Sequence, residues 1–447
     1  MKKMQKNVLL IAAFVALWLG AYFALRKPEA AKPLPDLSGR SNALGLGAEY
    51  ANVQKAVEFY RAEIRKNPGV VKNYVQLAQI FMQEARLTGR HHEYIPKAQE
   101  LLSEARKRNA EDFEANATQA ALLLTLHQFE QARTLAEKAI AQSPYNAFSQ
   151  GVLVDALVEL GDYEGAVRAC DKMLSLRPDL RSYARAAYLR ELHGDLRGAQ
   201  QVMKMACDAG VSGQENRAWA LYQLGKLYFN AGKLDTTEFI YRGIVRERPG
   251  YAHAMSGLAQ ILSARGDYAG AIDLLKQTYK DTPDHAFLEQ LVEICTVAGQ
   301  NQEAEKMTQL VLESYVQHEK EGWNVDLEYA RFCSEYDFNL AEALQRAQRE
   351  YQRRPNNIDV LEIYAWTLHQ NGQSEKAAPL LQQAMRLKTQ RASTYYRAGM
   401  IAKALHNTGK AQEYLAQALA MNPRFSCRDA QAARAALADL RQKHKLS

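Results

Sequence analysis

Cysteine is scarce and scattered: five residues (Cys170, Cys207, Cys295, Cys333 and Cys427) in 447, with no CxxC pair. That excludes a zinc ribbon, a dithiol redox centre and attached haem, and reads the thiols as small apolar core residues. Proline (12) and glycine (25) are too few for a collagen-like or low-complexity chain. HExxH and GxSxG are absent, and His91-His92-Glu93 reads as a solvated loop rather than a metal site. Gly45-Leu46-Gly47 lacks a third glycine and a preceding strand, and Gly409-Lys410 lacks the rest of a phosphate loop. No metal site, cofactor or catalytic residue is therefore expected, and the chain is read as a non-enzyme. Charge of one sign is also missing from the body. The net charge of +7 comes from the two ends, residues 1–40 and 424–447, and what lies between is slightly acidic. Without a basic stripe on the folded body, nucleic acid is not an expected partner.

Long hydrophobic runs are missing too, with one exception. Val8 to Leu25 holds no charged side chain and carries Trp18 and Tyr22 toward its end. As a helix it covers about 27 Å, close to the hydrocarbon thickness of a bilayer. Cleavage sites fit poorly, since Tyr22 or Glu29 would occupy the position that wants a small residue. Residues 1–26 are expected to be a signal-anchor and 27–47, with Pro28, Pro33 and Pro35, a tether. Three lysines before the run favour an internal amino terminus, which puts the body outside the cytoplasm, in the periplasm of a Gram-negative cell. A cytoplasmic-facing body is the alternative.

What is present is a period. Small residues recur at Ala56, Ala98, Ala132, Ala166, Ala199, Thr237, Ala271, Ala304, Ala343, Ala377 and Ala411, mostly 33 or 34 apart. Pro68, Pro144, Pro178, Pro249, Pro283, Pro355 and Pro423 each follow one of them by twelve residues; Gly161, Gly194, Gly232, Gly266, Gly299 and Gly372 each precede one by five. Within Leu221–Pro249, Leu221, Leu224, Gly225 and Tyr228 form a helical stripe that Gly232 ends. Leu234, Thr237, Tyr241 and Ile244 form the next stripe. Helices this short are marginal alone, so stability must come from stacking one pair on the next.

The spacing Leu224-Gly225-x-x-Tyr228, Gly232, Thr237, Pro249 resembles the tetratricopeptide repeat, as do Leu258-Ala259, Gly266-Asp267-Tyr268, Ala271, Pro283 and Leu153, Gly161-Asp162-Tyr163, Ala166, Pro178. The resemblance implies an all-α solenoid, a right-handed superhelix of helix-turn-helix repeats, here preceded by one transmembrane helix. Repeats are expected over 48–315 and 324–423, with a hinge at 316–323 (which carries His318–Trp323) and a capping helix and basic tail over 424–447. Departures from the period place insertions near Leu87–Pro96 and Asp208–Asn216 and a degenerate unit near Leu327–Pro355.

The resemblance further implies that the first helix of each unit lines a concave groove. Helical spacing then nominates Arg181, Ala184, Tyr188 and Glu191 in one unit and Trp219, Tyr222, Lys226, Phe229 and Asn230 in the next. Farther on come Glu289, Glu293, Glu362, Trp366 and His369, a more acidic stretch. Rings interspersed with cations and amides suit an extended peptide, although such rings can equally pack against neighbouring repeats. The chemistry for a C-terminal carboxylate clamp is missing from the first full repeat, where Val75 and Gln79 stand. The expected function is a membrane-anchored scaffold for protein or peptide partners, comparable with the repeat subunits of bacterial envelope complex assembly. A glycan- or lipid-handling accessory factor and a cytoplasmic regulatory adaptor are the alternatives.

Overall fold

The computed structural model describes residues 33–40 and 48–446. The proposed anchor, Val8–Leu25, lies outside the described residues. Among those described, no helix is long and apolar enough to cross a membrane. Gly39–Ser447 forms one compact unit; within it the described residues hold twenty-two α-helices, one short 3-10 turn (Met385–Leu387) and no strand.

The first helix, α1 (Ala48–Lys66), precedes five hairpins: α2 (Val71–Thr88) with α3 (His91–Arg108), α4 (Phe113–Thr125) with α5 (Phe129–Gln142), α6 (Ala147–Leu160) with α7 (Tyr163–Leu176), α8 (Leu180–Leu192) with α9 (Leu196–Asp208), and α10 (Glu215–Asn230) with α11 (Leu234–Glu247). Five more follow: α12 (Ala252–Ala264) with α13 (Tyr268–Asp281), α14 (His285–Val297) with α15 (Asn301–Lys320), α16 (Asp326–Glu335) with α17 (Leu340–Arg353), α18 (Ile358–Gln370) with α19 (Ser374–Ala384), and α20 (Ala392–Ala404) with α21 (Thr408–Met421). The last helix, α22 (Asp429–Leu446), lays Ala433, Ala436, Leu437 and Leu440 on α20 and α21.

Local chemistry sets the hairpins. At the α6–α7 turn, Gly161 adopts φ 81° and ends α6, while the Asp162 carboxylate caps α7 by accepting from the Gly165 N–H at 2.8 Å. A capping aspartate satisfies one of the donors that a helix start leaves free. The periodic small residues sit where paired helices cross: Ala132, Ala166, Ala199, Ala271, Ala343, Ala377 and Ala411 are all at 0% exposure. Thr237 fits the same slot because its hydroxyl folds back onto the Lys233 carbonyl at 2.9 Å. Four of the cysteines are buried, Cys427 is partly so, and all five are free thiols.

Two insertions take different forms. Residues near Asp208–Asn216 form the loop between α9 and α10. Those near Leu87–Pro96 do not form a loop: they lengthen α2 and α3 to 18 residues each. His91 therefore lies in the first turn of a helix rather than in a loop, partly buried against the Trp323 ring (centroids 5.6 Å apart), while His92 beside it is exposed. Residues 316–320 are the last turn of the 20-residue α15, and 321–323 belong to the turn after it. In the degenerate unit Phe338 takes the place of the turn glycine, and Asp337 and Asn339 on either side of it adopt positive φ.

The solenoid also coils back on itself. Hydrogen bonds recur between residues 193 to 199 apart in sequence, so each hairpin turn of an early repeat seats on the loop that joins two later ones. The steps follow in order. The Asn324 N–H donates to the Leu126 carbonyl at 3.0 Å and the Gln128 amide to that of Gly322 at 2.8 Å. Asn357 donates to the Glu159 carbonyl at 2.9 Å, and the Ile358 N–H donates to the Tyr163 hydroxyl at 2.9 Å. Thr389 donates to the carbonyl of Leu192 at 2.5 Å, and Asn422 donates to that of Phe229 at 2.8 Å. Near the amino end, the Arg248 guanidinium clasps Glu49 at 2.7 Å, again 199 residues away. The result is two turns of repeats joined along a continuous seam.

A candidate binding surface inside the coil

The first helices of the hairpins in both turns face a common interior. Arg185 (α8) bonds Asp155 (α6) at 2.9 Å and 2.5 Å. Arg331 (α16) bonds Glu289 (α14) at 2.6 Å, and the Tyr315 hydroxyl donates to the same carboxylate at 2.6 Å. Arg397 (α20) bridges Glu362 (α18) at 2.5 Å and Glu335 (α16) at 2.6 Å; Arg391, just before α20, pairs with Asp359 at 2.5 Å. Glu293 accepts from the Ser426 hydroxyl at 2.6 Å. Each of these carboxylates thus meets a cation or donor from beyond its own hairpin, so the acidic stretch seen in the sequence presents little free negative charge.

Against this background a few nominated residues remain available. The Tyr188 side chain is 37% exposed. Its phenol is held well above its ordinary pKa, first by desolvation and then by Asp359, Glu159 and Glu191 around it. Those neighbours come from both turns of the coil, which places Tyr188 in the shared interior. Lys226 is exposed toward this space, and its ammonium lies 5.9 Å from the Tyr222 ring centroid. Desolvation lowers its pKa, Glu191 opposes the shift and Arg391 reinforces it. Arg181 is likewise lowered, by desolvation and by Arg185, Arg177 and Arg86. Among the described residues neither Arg181 nor Lys226 has an ion-pair partner.

The other nominated residues serve the scaffold. Phe229 is 5% exposed in a cluster with Leu234 and Ile261. Trp366 is 6% exposed, packed on His369 and Tyr396, and Ala184 is buried. His369 also shares a 2.9 Å hydrogen bond with the Ser374 hydroxyl. Glu362 is consumed by Arg397 and by the Thr394 hydroxyl at 2.7 Å. Tyr222 stacks between Tyr241 and His253 at 5.5 and 5.4 Å. Trp219 packs half-buried on the cluster of Leu224 and Met203. Asn230 ties α10 to α8 through Glu191 at 3.3 Å. The interior arginines at 185, 331, 391 and 397 were not among the nominated positions. Arg185 follows Arg181 by one helical turn and was accessible to the same spacing argument; Arg391 precedes its helix and lies outside any stripe.

Paired helices stacked in register, with a lined interior and no strand among the described residues, define the class: an α-helical repeat solenoid. Tetratricopeptide-repeat family models match residues 123–191, 222–286 and 392–425. The chain thus carries tetratricopeptide repeats over these three stretches. It is similar to tetratricopeptide repeat protein 21B of Xenopus laevis, 24% identical over 289 residues, which are 58% of this chain and 21% of that one. The chain therefore spans about a fifth of that relative's length. Among solved structures it is similar to a thermophilic tetratricopeptide-repeat protein of Thermus thermophilus (20% identity, 40% of this chain and 92% of that one, TM-score 0.36). It is also similar to a tetratricopeptide-repeat protein of Parabacteroides merdae (17% identity, 52% and 88% covered, TM-score 0.39).

Proposed function

We propose that this protein is a scaffold that holds an extended polypeptide against the interior of a right-handed superhelix, by contact and without catalysis. One observation carries the reading: Arg181, Tyr188 and Lys226 stay open on neighbouring first helices while the charges around them are cancelled internally. Two cations without ion-pair partners beside an exposed phenol suit a segment that alternates carboxylates with apolar side chains. In this reading Val8–Leu25 anchors the chain in a membrane and the repeats work on its extracytoplasmic side, within envelope complex assembly.

A photo-crosslinking residue at Tyr188, compared with one at Phe239 on the outside of α11, tests the reading in cells. Polypeptide adducts from position 188, lost in Arg181→Ala/Lys226→Ala, are expected. Adducts that are only glycan or lipid, or equal yields from both positions, would replace this reading with the accessory-factor alternative. A reporter fused after Ser447 reads the side of the membrane.

A further inference from the structure

The seam is not chemically uniform. Between Gly89 and Asn324 it gathers four histidines, three of them against one indole. The Trp323 ring has His318 at 4.8 Å, His91 at 5.6 Å and His127 at 5.7 Å, and His285 lies 5.3 Å from His318. These rings come from both turns: His91 begins α3, His127 sits in the α4–α5 turn, His285 begins α14, and His318 and Trp323 close α15. Beside them run the seam bonds themselves, Asn324 N–H to the Leu126 carbonyl at 3.0 Å and His127 Nδ1 against the Asn324 carbonyl at 3.0 Å. Three polar atoms in the cluster, His91 Nδ1, His318 Nδ1 and Trp323 Nε1, are buried without a hydrogen-bond partner.

Negative charge around the cluster is already shared out. Asp284 lies 4.0 Å from His91 Nε2 and 3.8 Å from His285 Nδ1, and it also faces His253. Glu289 lies 4.0 Å from His285 but is held by Arg331 and Tyr315. Glu328 faces His127 at 3.4 Å, and Glu321 accepts from the Gln317 amide at 2.5 Å. His92 adds a further imidazole beside His91. His318 thus looks onto other histidines and an indole, with one distant, divided carboxylate.

We propose that this corner of the seam is an acid-operated latch: protons taken up by His91 and His318 part the second turn of repeats from the first, while the hairpins stay folded. The sign follows from burial. Desolvation, then His285 and His91, press His318 from the ordinary 6.5 to about 3, and desolvation lowers His91 as well. Both are neutral while the seam is closed and regain ordinary basicity when it opens. Closure is therefore fully favoured above pH 6.5 and weakened as the pH falls below it. The inference rests on the seam alone and is independent of what the interior binds.

Hydrogen-exchange mass spectrometry on the 447-residue chain in detergent, corrected for intrinsic exchange, follows the opening. Seam peptides around 124–130 and 320–326 are expected to lose protection below pH 6.5, with α6 and α7 still protected. The logarithm of the opening constant should change by more than about one per pH unit, His318 contributing about one and His91 adding to it. His318→Phe keeps a ring against Trp323 but cannot titrate, and should reduce that slope by about one. His406→Asn, far along the chain, should leave it unchanged. The proposal is overturned if the seam peptides stay protected at low pH, if the slope is the same in His318→Phe, or if all helices lose protection together. Should His318→Phe fail to fold, His91→Phe gives the same reading, and the slope of the unsubstituted chain decides by itself.

Discussion

Two glycines that look alike in sequence differ in what surrounds them. Gly161 and Gly266 both end a first helix with positive φ, 81° and 88°. A Cβ on Gly161 would lie 2.4 Å from the Asn356 carbonyl carbon, whereas one on Gly266 would meet nothing within 4 Å. Gly266→Ala should therefore cost only the left-handed strain, about 1 kcal/mol. Gly161→Ala should add the displacement of a neighbouring backbone, about 2 kcal/mol more. Urea unfolding of the two variants measures the difference, and equal losses would mean that the seam contributes nothing at that step. The glycine itself was legible in the sequence, because a glycine stands five before six of the crossing residues. Its second role was not, since Asn356 is far away in the chain and carries no periodic mark. Arg397 illustrates the same limit: its charge is visible, but its partners Glu335 and Glu362 lie two hairpins and one hairpin earlier.

Hairpins are the level at which sequence reasoning worked best. Gly232, Thr237 and Pro249 bracket α11, which runs from Leu234 to Glu247 as its stripe implied. The reason is physical: caps, turns and crossing residues act over a few positions, so their pattern stays local. It failed where an insertion kept helical spacing, as near His91, because added helical turns and added loop look similar when the inserted residues are polar. The crossing residues give a direct test. Ala166 is fully buried where α7 meets α6, in a cluster with Val154, Leu157 and Leu192. Ala166→Leu should force these helices apart and destabilise by about 1–3 kcal/mol, while Ala166→Gly should cost about 1 kcal/mol. Thermal unfolding of both variants checks the order. If leucine is tolerated as well as glycine, close approach at the crossing is not what the small residue provides.

At the scale of the whole molecule, the seam changes how the array should unfold. In a linear repeat protein each unit contacts only its neighbours, and loss can begin at either end. Here Asn357 caps α18 through its side-chain oxygen and donates its amide to the Val158 and Glu159 carbonyls, tying distant repeats together. Asn357→Asp retains the capping oxygen but turns the donor into an acceptor that faces two carbonyls. A loss of about 2 kcal/mol is expected. Hydrogen exchange should report it in α6 and in α18 alike; a loss confined to α18 would show that the turns fold independently.

Because each early turn must meet a loop some 193 to 199 residues later, the number of residues in one circuit is fixed. Most repeat arrays lengthen or shorten by whole units without penalty to the units that remain. In this chain, excising a single hairpin would throw every later contact out of phase at once, so the copy number is constrained by geometry as strictly as any side chain.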